Sequence, residues 1–250
     1  MRVILLNAEA PKINPFDANI IHFLNRFAQR SWLLDRSVSF VGNNLLIHGG
    51  VITALLWWAW FRGGESKTRD RELVLSGIMM SCAALFAARA LALWLPYRER
   101  PCRVPEVAFR LPFGATSSNL IHWSSFPSDH AALFFSLATC LYLISRRIGI
   151  LAYCHAFFVV CLPIVYMGMH YPTDILAGAF LGIGITQLAT IQGLREYIAR
   201  GPLRWVEESP QLFYPCFYLM TFLIGTNFDS VRDICVAAWQ AVRAVIQHRL

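Results

Sequence analysis

Charge is scarce in this chain. Only 15% of its 250 residues are Asp, Glu, Lys or Arg, where a soluble domain of that size carries about a quarter, so a soluble globular fold is excluded. Cysteine is present but unpatterned. The seven cysteines form no CxxC pair and no metal spacing, which excludes a zinc module or a disulfide scaffold. Cys82, Cys140, Cys154 and Cys161 lie inside apolar runs, where cysteine acts as a small buried hydrophobe, and Cys102 sits in a polar loop beside Arg100. There is no glycine-rich nucleotide loop, no HExxH, no acidic metal-binding cluster and no N-x-S/T sequon. The apolar opening Val3–Leu6 ends at Asn7 and Glu9, too short for a cleavable signal peptide.

Apolar residues are abundant instead: 56% of the chain, with a mean hydropathy of +0.48. Uncharged stretches of about 20 residues recur, the length that crosses a hydrocarbon core roughly 30 Å thick. The expectation is an all-α, polytopic membrane bundle of five to six spans, with amphipathic interfacial helices at both ends. One membrane-embedded domain covers 1–250, divided into an N-terminal interfacial helix (1–37), a core (38–195) and a C-terminal hydrophobic segment with an amphipathic helix (196–250). The net charge of +7 is then loop and headgroup charge rather than a nucleic-acid footprint.

Along the chain, Phe16, Ile20, Ile21, Phe23, Leu24 and Phe27 mark one face of a helix over 16–36, and Asp17, Asn25, Arg26 and Arg30 the other. Spans are expected at 38–61, at 73–95 (interrupted by Arg89), at 130–144, at 148–169 with a kink at Pro163, and at 175–191, where Gly178, Gly182 and Gly184 permit close helix approach. The stretch 210–228 either spans or is re-entrant, and 230–250 reads as a second amphipathic helix. Basic residues collect after the first span, at Arg146-Arg147 and after the fifth span, which makes that side cytoplasmic. Arg98, Arg100, Arg103 and Arg110 fall on the opposite face against this bias, which points to an anionic ligand there.

Three polar islands sit at span ends on that outer face. In Ser124-Ser125-Phe126-Pro127-Ser128-Asp129-His130, Pro127 breaks the chain and Ser128 is placed to cap a helix whose free N–H groups attract anions. In His170-Tyr171-Pro172-Thr173-Asp174, the i, i+4 spacing lets the carboxylate meet the imidazole on one helical face, fixing its tautomer and raising its basicity. The third island is Arg98-Glu99-Arg100-Pro101-Cys102-Arg103. Two histidines with different partners divide labour between a nucleophile and an acid, and arginines with a helix terminus stabilise an anionic transition state. With no cofactor motif, phosphoryl transfer without metal or nucleotide fits this set. Two histidines and an aspartate also permit zinc in principle, but without a zinc motif.

The islands resemble the three motifs of the type 2 phosphatidic acid phosphatase superfamily, integral-membrane lipid phosphatases whose pattern is K-x6-R-P, P-S-G-H and S-R-x5-H-x3-D. The matches are Arg100-Pro101, Pro127-Ser128-Asp129-His130, and His170 with Asp174. The resemblance covers about residues 16–195, and in layout the chain is similar to bacitracin-resistance-type undecaprenyl pyrophosphate phosphatases. It implies that His170 attacks phosphorus to give a phosphohistidine, that Asp174 orients it, and that His130 protonates the leaving oxygen. Arg100, Ser128 and the residues near it, Asp129 included, would hold phosphate oxygens. No cofactor or metal is implied. The implied partners are a lipid phosphate and the membrane, at the outer face of a bacterial-type inner membrane.

Two family cations are missing: Leu93 stands at the lysine position and Pro163-Ile164 at the Ser-Arg position, and Asp129 replaces glycine. A nearby arginine is expected to compensate, with Arg98 ranked first, Arg103 second and Arg89 third. Residues two apart in an extended segment share a face, which favours Arg98 beside Arg100. Arg89 reaches the site only if its helix ends near Pro96 and the loop folds back. Undecaprenyl pyrophosphate leads as substrate, with phosphatidate, phosphatidylglycerophosphate, lipid A phosphate and transfer to another lipid open. A non-catalytic lipid-phosphate-binding subunit is the reading from another class, and a missing inverted repeat argues against a transporter.

Overall fold

The computed structural model describes residues 13–115 and 123–229, together with positions 231, 234, 237, 238 and 240. Most of the amphipathic helix expected over 230–250 therefore lies outside the described residues. The described residues are helical, without strands. In chain order the helices are α1 (Pro15–Asn25), α2 (Trp32–Asn43), α3 (Leu46–Phe61, opening with a π-turn over Leu46–Gly50), α4 (Lys67–Trp94), α5 (Asp129–Ile144), α6 (Arg146–Tyr166), α7 (Pro172–Thr190), α8 (Gln192–Glu208) and α9 (Pro210–Gly225).

Helix α5 is the centre of the bundle, packed between α4 and α7. Leu133, Phe134, Leu137 and Leu141 are fully buried against Ile52, Leu56 and Trp60 of α3 and Val74 and Leu85 of α4. At 16 residues α5 is about 24 Å long, shorter than the hydrocarbon core. At its N-terminus Ser128 is fully buried, while the Asp129 and His130 side chains keep 25% and 28% exposure. Helix α7 reaches α5 backbone to backbone. A Cβ at Gly178 would lie 2.2 Å from the Ser128 carbonyl oxygen, and one at Gly182 would lie 2.1 Å from that of Ala132. Gly184, expected in the same role, faces open space.

Among the described residues three helices are long and apolar enough to cross a membrane: α4, α6 and α7. A fourth span arises if α2 and α3, bent by 61° at their junction, are taken together. By this measure the expected count of five to six is not confirmed, because α5 and α9 each stop at 16 residues. The helix expected over 16–36 is two helices, α1 and α2, with a turn between them in which Gln29 has φ 64°. Asp17, assigned to a polar solvent face, is fully buried, as is Asp35. The Asp35 carboxylate accepts from the Gln29 and Phe113 N–H groups, each at 2.9 Å, and from the Tyr166 hydroxyl. An acid with those partners belongs inside the protein. Pro163 lies in α6 just after a π-turn over Ala156–Cys161, a widened turn of the kind that accommodates a missing N–H donor.

Candidate active site

Helix α4 ends at Trp94 and the chain folds back across the top of the bundle, where the Ser125 N–H donates to the Arg98 carbonyl at 2.9 Å. This closes a cavity of about 310 Å³ over the N-terminus of α5. Its polar lining includes His130, Asp129, His170, Arg100 and Arg89, with His48, Asn43, Ser124 and Asp229 around them. Ala88 and Ala92 of α4, and Ile164, Met167 and Met169 around the end of α6, supply apolar walls.

His170 stands in the turn before α7 and is 5% exposed. Its Nδ1 lies 2.8 Å from the Ser125 carbonyl oxygen and 3.5 Å from Asp174 Oδ2. A carbonyl only accepts, so Nδ1 carries the hydrogen and Nε2 holds the free lone pair. The orienting acceptor expected at Asp174 is thus mainly the Ser125 carbonyl. The helical i, i+4 argument does not apply, because α7 begins at Pro172 and His170 lies outside it. Asp174 instead caps α7, its Oδ2 accepting from the Tyr171 N–H at 2.8 Å.

His130 is in the first turn of α5, its Nδ1 3.0 Å from Asp129 Oδ1. The other Asp129 oxygen faces Arg89 Nε at 3.4 Å and the Asn227 amide nitrogen at 3.5 Å. Arg89 is further fixed by an Nη2 bond of 3.0 Å to the Asn227 carbonyl. Asp129, expected among the phosphate-binding residues, is therefore occupied in holding a histidine and an arginine. Its carboxylate has nothing to donate to an anion.

Arg100 is the deepest cation, 5% exposed. Its Nη1 donates to the Met169 carbonyl at 2.8 Å, while its buried Nε has no hydrogen-bond partner among the described residues. Burial pulls its guanidinium below the usual range, and the Asp129 carboxylate works in the opposite direction. A buried donor on a charged group costs about 1–3 kcal/mol or more when unpaired. An anionic oxygen in the cavity removes that cost.

The remaining expected site residues lie elsewhere. Ser128 is fully buried and caps α5, its Oγ accepting from the Ala131 N–H at 3.3 Å. Arg103 does not line the cavity. Arg98, ranked first as the compensating cation, is turned away toward α1, where Nη2 pairs with Asp17 at 2.7 Å and Nη1 with Asp174. Arg89, ranked last, is the one of the three that lines the cavity. Leu93, at the missing lysine position, is 71% exposed on the outside of α4, whereas Ile164 faces the cavity. Sequence reasoning missed His48 and Asn227. A histidine followed by Gly49-Gly50 inside an apolar span was an available signal for the first, and nothing marked the second. Among the described residues, no three His, Cys, Asp or Glu side chains converge as a metal site.

A family model described as the PAP2 superfamily matches residues 73–197, half of the chain. Over 60 residues the sequence is 43% identical to the bacitracin transport permease protein BcrC of Bacillus licheniformis, which covers 24% of this chain and 29% of that protein. That match spans less than a third of the relative's length. Two solved structures are also matched. LpxE of Aquifex aeolicus shares 24% identity over 69% of this chain and 93% of its own, with a TM-score of 0.46. The transmembrane PAP2-type phosphatidylglycerolphosphate phosphatase of Bacillus subtilis shares 22% over 73% and 85%, with a TM-score of 0.45.

Proposed function

Since the chain belongs to the PAP2 superfamily of membrane lipid phosphatases, we propose that it removes a phosphate from a lipid diphosphate through a phosphohistidine, with undecaprenyl pyrophosphate as the leading substrate. The observation that carries this reading is the pair of histidines in one cavity, each with Nδ1 tied to an acceptor, beside a buried arginine whose Nε has no partner among the described residues. Oppositely assigned roles for two such histidines require that each present Nε2 to the substrate; the Nδ1 acceptor leaves Nε2 of His170 free for this, and Nε2 of His130 has only the Asn227 amide nitrogen beside it, at 3.4 Å.

In the proposed reaction the His170 Nε2 lone pair forms a bond to phosphorus while the bond to the bridging oxygen breaks. His130, protonated and steadied by Asp129, gives its proton to that departing oxygen. The neutral His130 then takes a proton from water, whose oxygen attacks the phosphohistidine and releases inorganic phosphate. Arg100 and Arg89 hold the nonbridging oxygens, where charge grows in the transition state. The apolar walls beside them favour an ester with a lipid tail. The basic loops on the opposite side support an active site facing the cell exterior or periplasm across an inner membrane.

Ile164, an apolar residue on the cavity wall at a family arginine position, favours a second reading as a lipid-phosphate-binding subunit without turnover. The test is phosphate release by the purified protein from undecaprenyl pyrophosphate, phosphatidylglycerophosphate, phosphatidate and lipid A phosphate, each with and without EDTA. Release from the polyprenyl diphosphate, undiminished by chelator and inhibited by vanadate, is expected. Binding of these lipids without release from any of them would establish the second reading instead.

A further inference from the structure

The cluster around Arg98 lies behind the cavity and joins α1 to the His170 turn. Asp17, fully buried in the first turn of α1, accepts four hydrogen bonds from other side chains and from the α7 backbone. They come from the Thr173 N–H at 2.9 Å, the Thr173 hydroxyl at 2.6 Å, Arg98 Nη2 at 2.7 Å and the Asn14 amide at 2.7 Å. Arg98 Nη1 donates to the Thr173 hydroxyl at 2.9 Å and to Asp174. Its guanidinium lies 4.0 Å above the Tyr171 ring. Both Nη groups are thus engaged, by two buried carboxylates and the Thr173 hydroxyl, with the plane stacked on Tyr171, a geometry that lysine cannot reproduce.

The backbone of the same residue holds the other anchor of His170. The Arg98 N–H donates to Ser124 Oγ at 3.1 Å, and its carbonyl accepts from the Ser125 N–H. Ser125 in turn offers its carbonyl to His170 Nδ1. Arg98 therefore reaches both groups that surround the His170 ring, Asp174 by its side chain and Ser125 by its main chain. Resting on the phosphatase reading above, we propose that Asp17 and Arg98 are positioning residues for His170, so that the N-terminal helix α1 is a working part of the active site.

Two buried carboxylates facing one another across Thr173 need the guanidinium between them. Without it, Asp174 loses the partner that fixes its rotamer, and the turn holding His170 loses its clasp to α1. A displacement of about 1 Å at a reacting atom lowers turnover by up to about a hundredfold. Substrate phosphate, held by Arg100 and Arg89 rather than by this clasp, is bound as before.

The experiment measures kcat, KM and vanadate inhibition on the lipid phosphate panel for wild type, Asp17→Asn, Arg98→Gln, Arg98→Lys and the double variant Asp17→Asn/Arg98→Gln. Amide exchange over 170–175 reports the clasp itself in each. Glu208→Gln, at an exposed ion pair on α8, serves as the unaffected control. Expected are a fall in kcat of about ten- to a hundredfold with KM and vanadate inhibition little changed, faster exchange at Thr173, partial recovery in Arg98→Lys, and a double variant no worse than the poorer single one. If Asp17→Asn does not fold, Thr173→Val breaks the same clasp with a smaller lesion. Wild-type kcat in a folded Asp17→Asn or, where that variant does not fold, in Thr173→Val overturns the proposal. So does a rise in KM and loss of vanadate inhibition in Arg98→Gln, which makes Arg98 a phosphate ligand. A wild type that hydrolyses nothing in the panel is a different failure, that of the phosphatase reading itself.

Discussion

Replacing Arg89 with methionine tests whether this arginine supplies the charge that the family draws from other positions. Methionine keeps most of the side-chain volume on the cavity face of α4, beside Ala88 and Ala92, and removes the guanidinium. Two of its nitrogens are committed, Nε to Asp129 at 3.4 Å and Nη2 to the Asn227 carbonyl at 3.0 Å. Nη1 takes part in neither contact, which leaves one charge-assisted bond for a phosphate oxygen. Such a bond contributes about 1.5–3 kcal/mol, and each 1.36 kcal/mol is tenfold in rate, so kcat/KM should fall by about 10- to 150-fold. Vanadate inhibition should weaken in parallel, because the anion loses the same contact. Arg89→Lys should recover part of the loss, since it restores the charge without the fork. The assay is steady-state phosphate release from the best substrate of the panel, with vanadate inhibition of the same preparations. Full activity and full vanadate sensitivity in a folded Arg89→Met protein would show that Arg100 works without a second cation.

Three further outcomes are expected. Gly178→Ala forces a methyl into the Ser128 carbonyl, so it should cost about 1–3 kcal/mol of stability, seen as a lower melting temperature, and reduce turnover by separating α7 from α5. Unchanged values for both would mean that the two helices are free to move apart. Tyr166→Phe removes the hydroxyl that donates to the buried Asp35 carboxylate and should lower stability by about 1.5–3 kcal/mol while each folded molecule keeps its activity; an unchanged melting temperature would contradict this. Burial pushes the Cys102 thiol up from its usual range, so the thiolate is scarcer at neutral pH than in a free cysteine. Iodoacetamide should label it more slowly than free cysteine and accelerate only in alkali; fast labelling at pH 7 would refute that assignment.

The beginning of α5 was legible to within one residue, because Pro127, the Ser128 cap and the apolar run after it are local signals read in the right order. The His170 and His130 positions were legible as well, each standing where an apolar run meets a polar island. Partners were not. Asp17 looks like a polar-face residue in a helical projection, and only its contacts with Arg98 and Thr173, distant in sequence, bury it. The arginine ranking departs from the observed placement for the same reason. Alternation along an extended segment put Arg98 beside Arg100, but backbone bonds to Ser124 and Ser125 fix this loop, and two buried acids attract Arg98 to the other side. Arg89 depended on a condition that the sequence could state but not decide, that α4 end before Pro96 and the loop return over it. The five to six spans are not confirmed by helix length, because hydropathy registers the apolar character of 130–144 and 210–228 but not that each helix stops at about 24 Å.

The central claim is that His170 carries the phosphoryl group. Its direct test is rapid acid-free quenching of the purified protein during turnover of undecaprenyl pyrophosphate labelled with ³²P in the terminal phosphate, followed by electrophoresis at alkaline pH. The account predicts label on the wild-type protein that survives base and is lost in acid, located on the peptide containing His170, and no label on His170→Ala, which should fold and retain no measurable turnover. Turnover in His170→Ala above a few per cent of wild type, or a base-stable label on another residue, would contradict it.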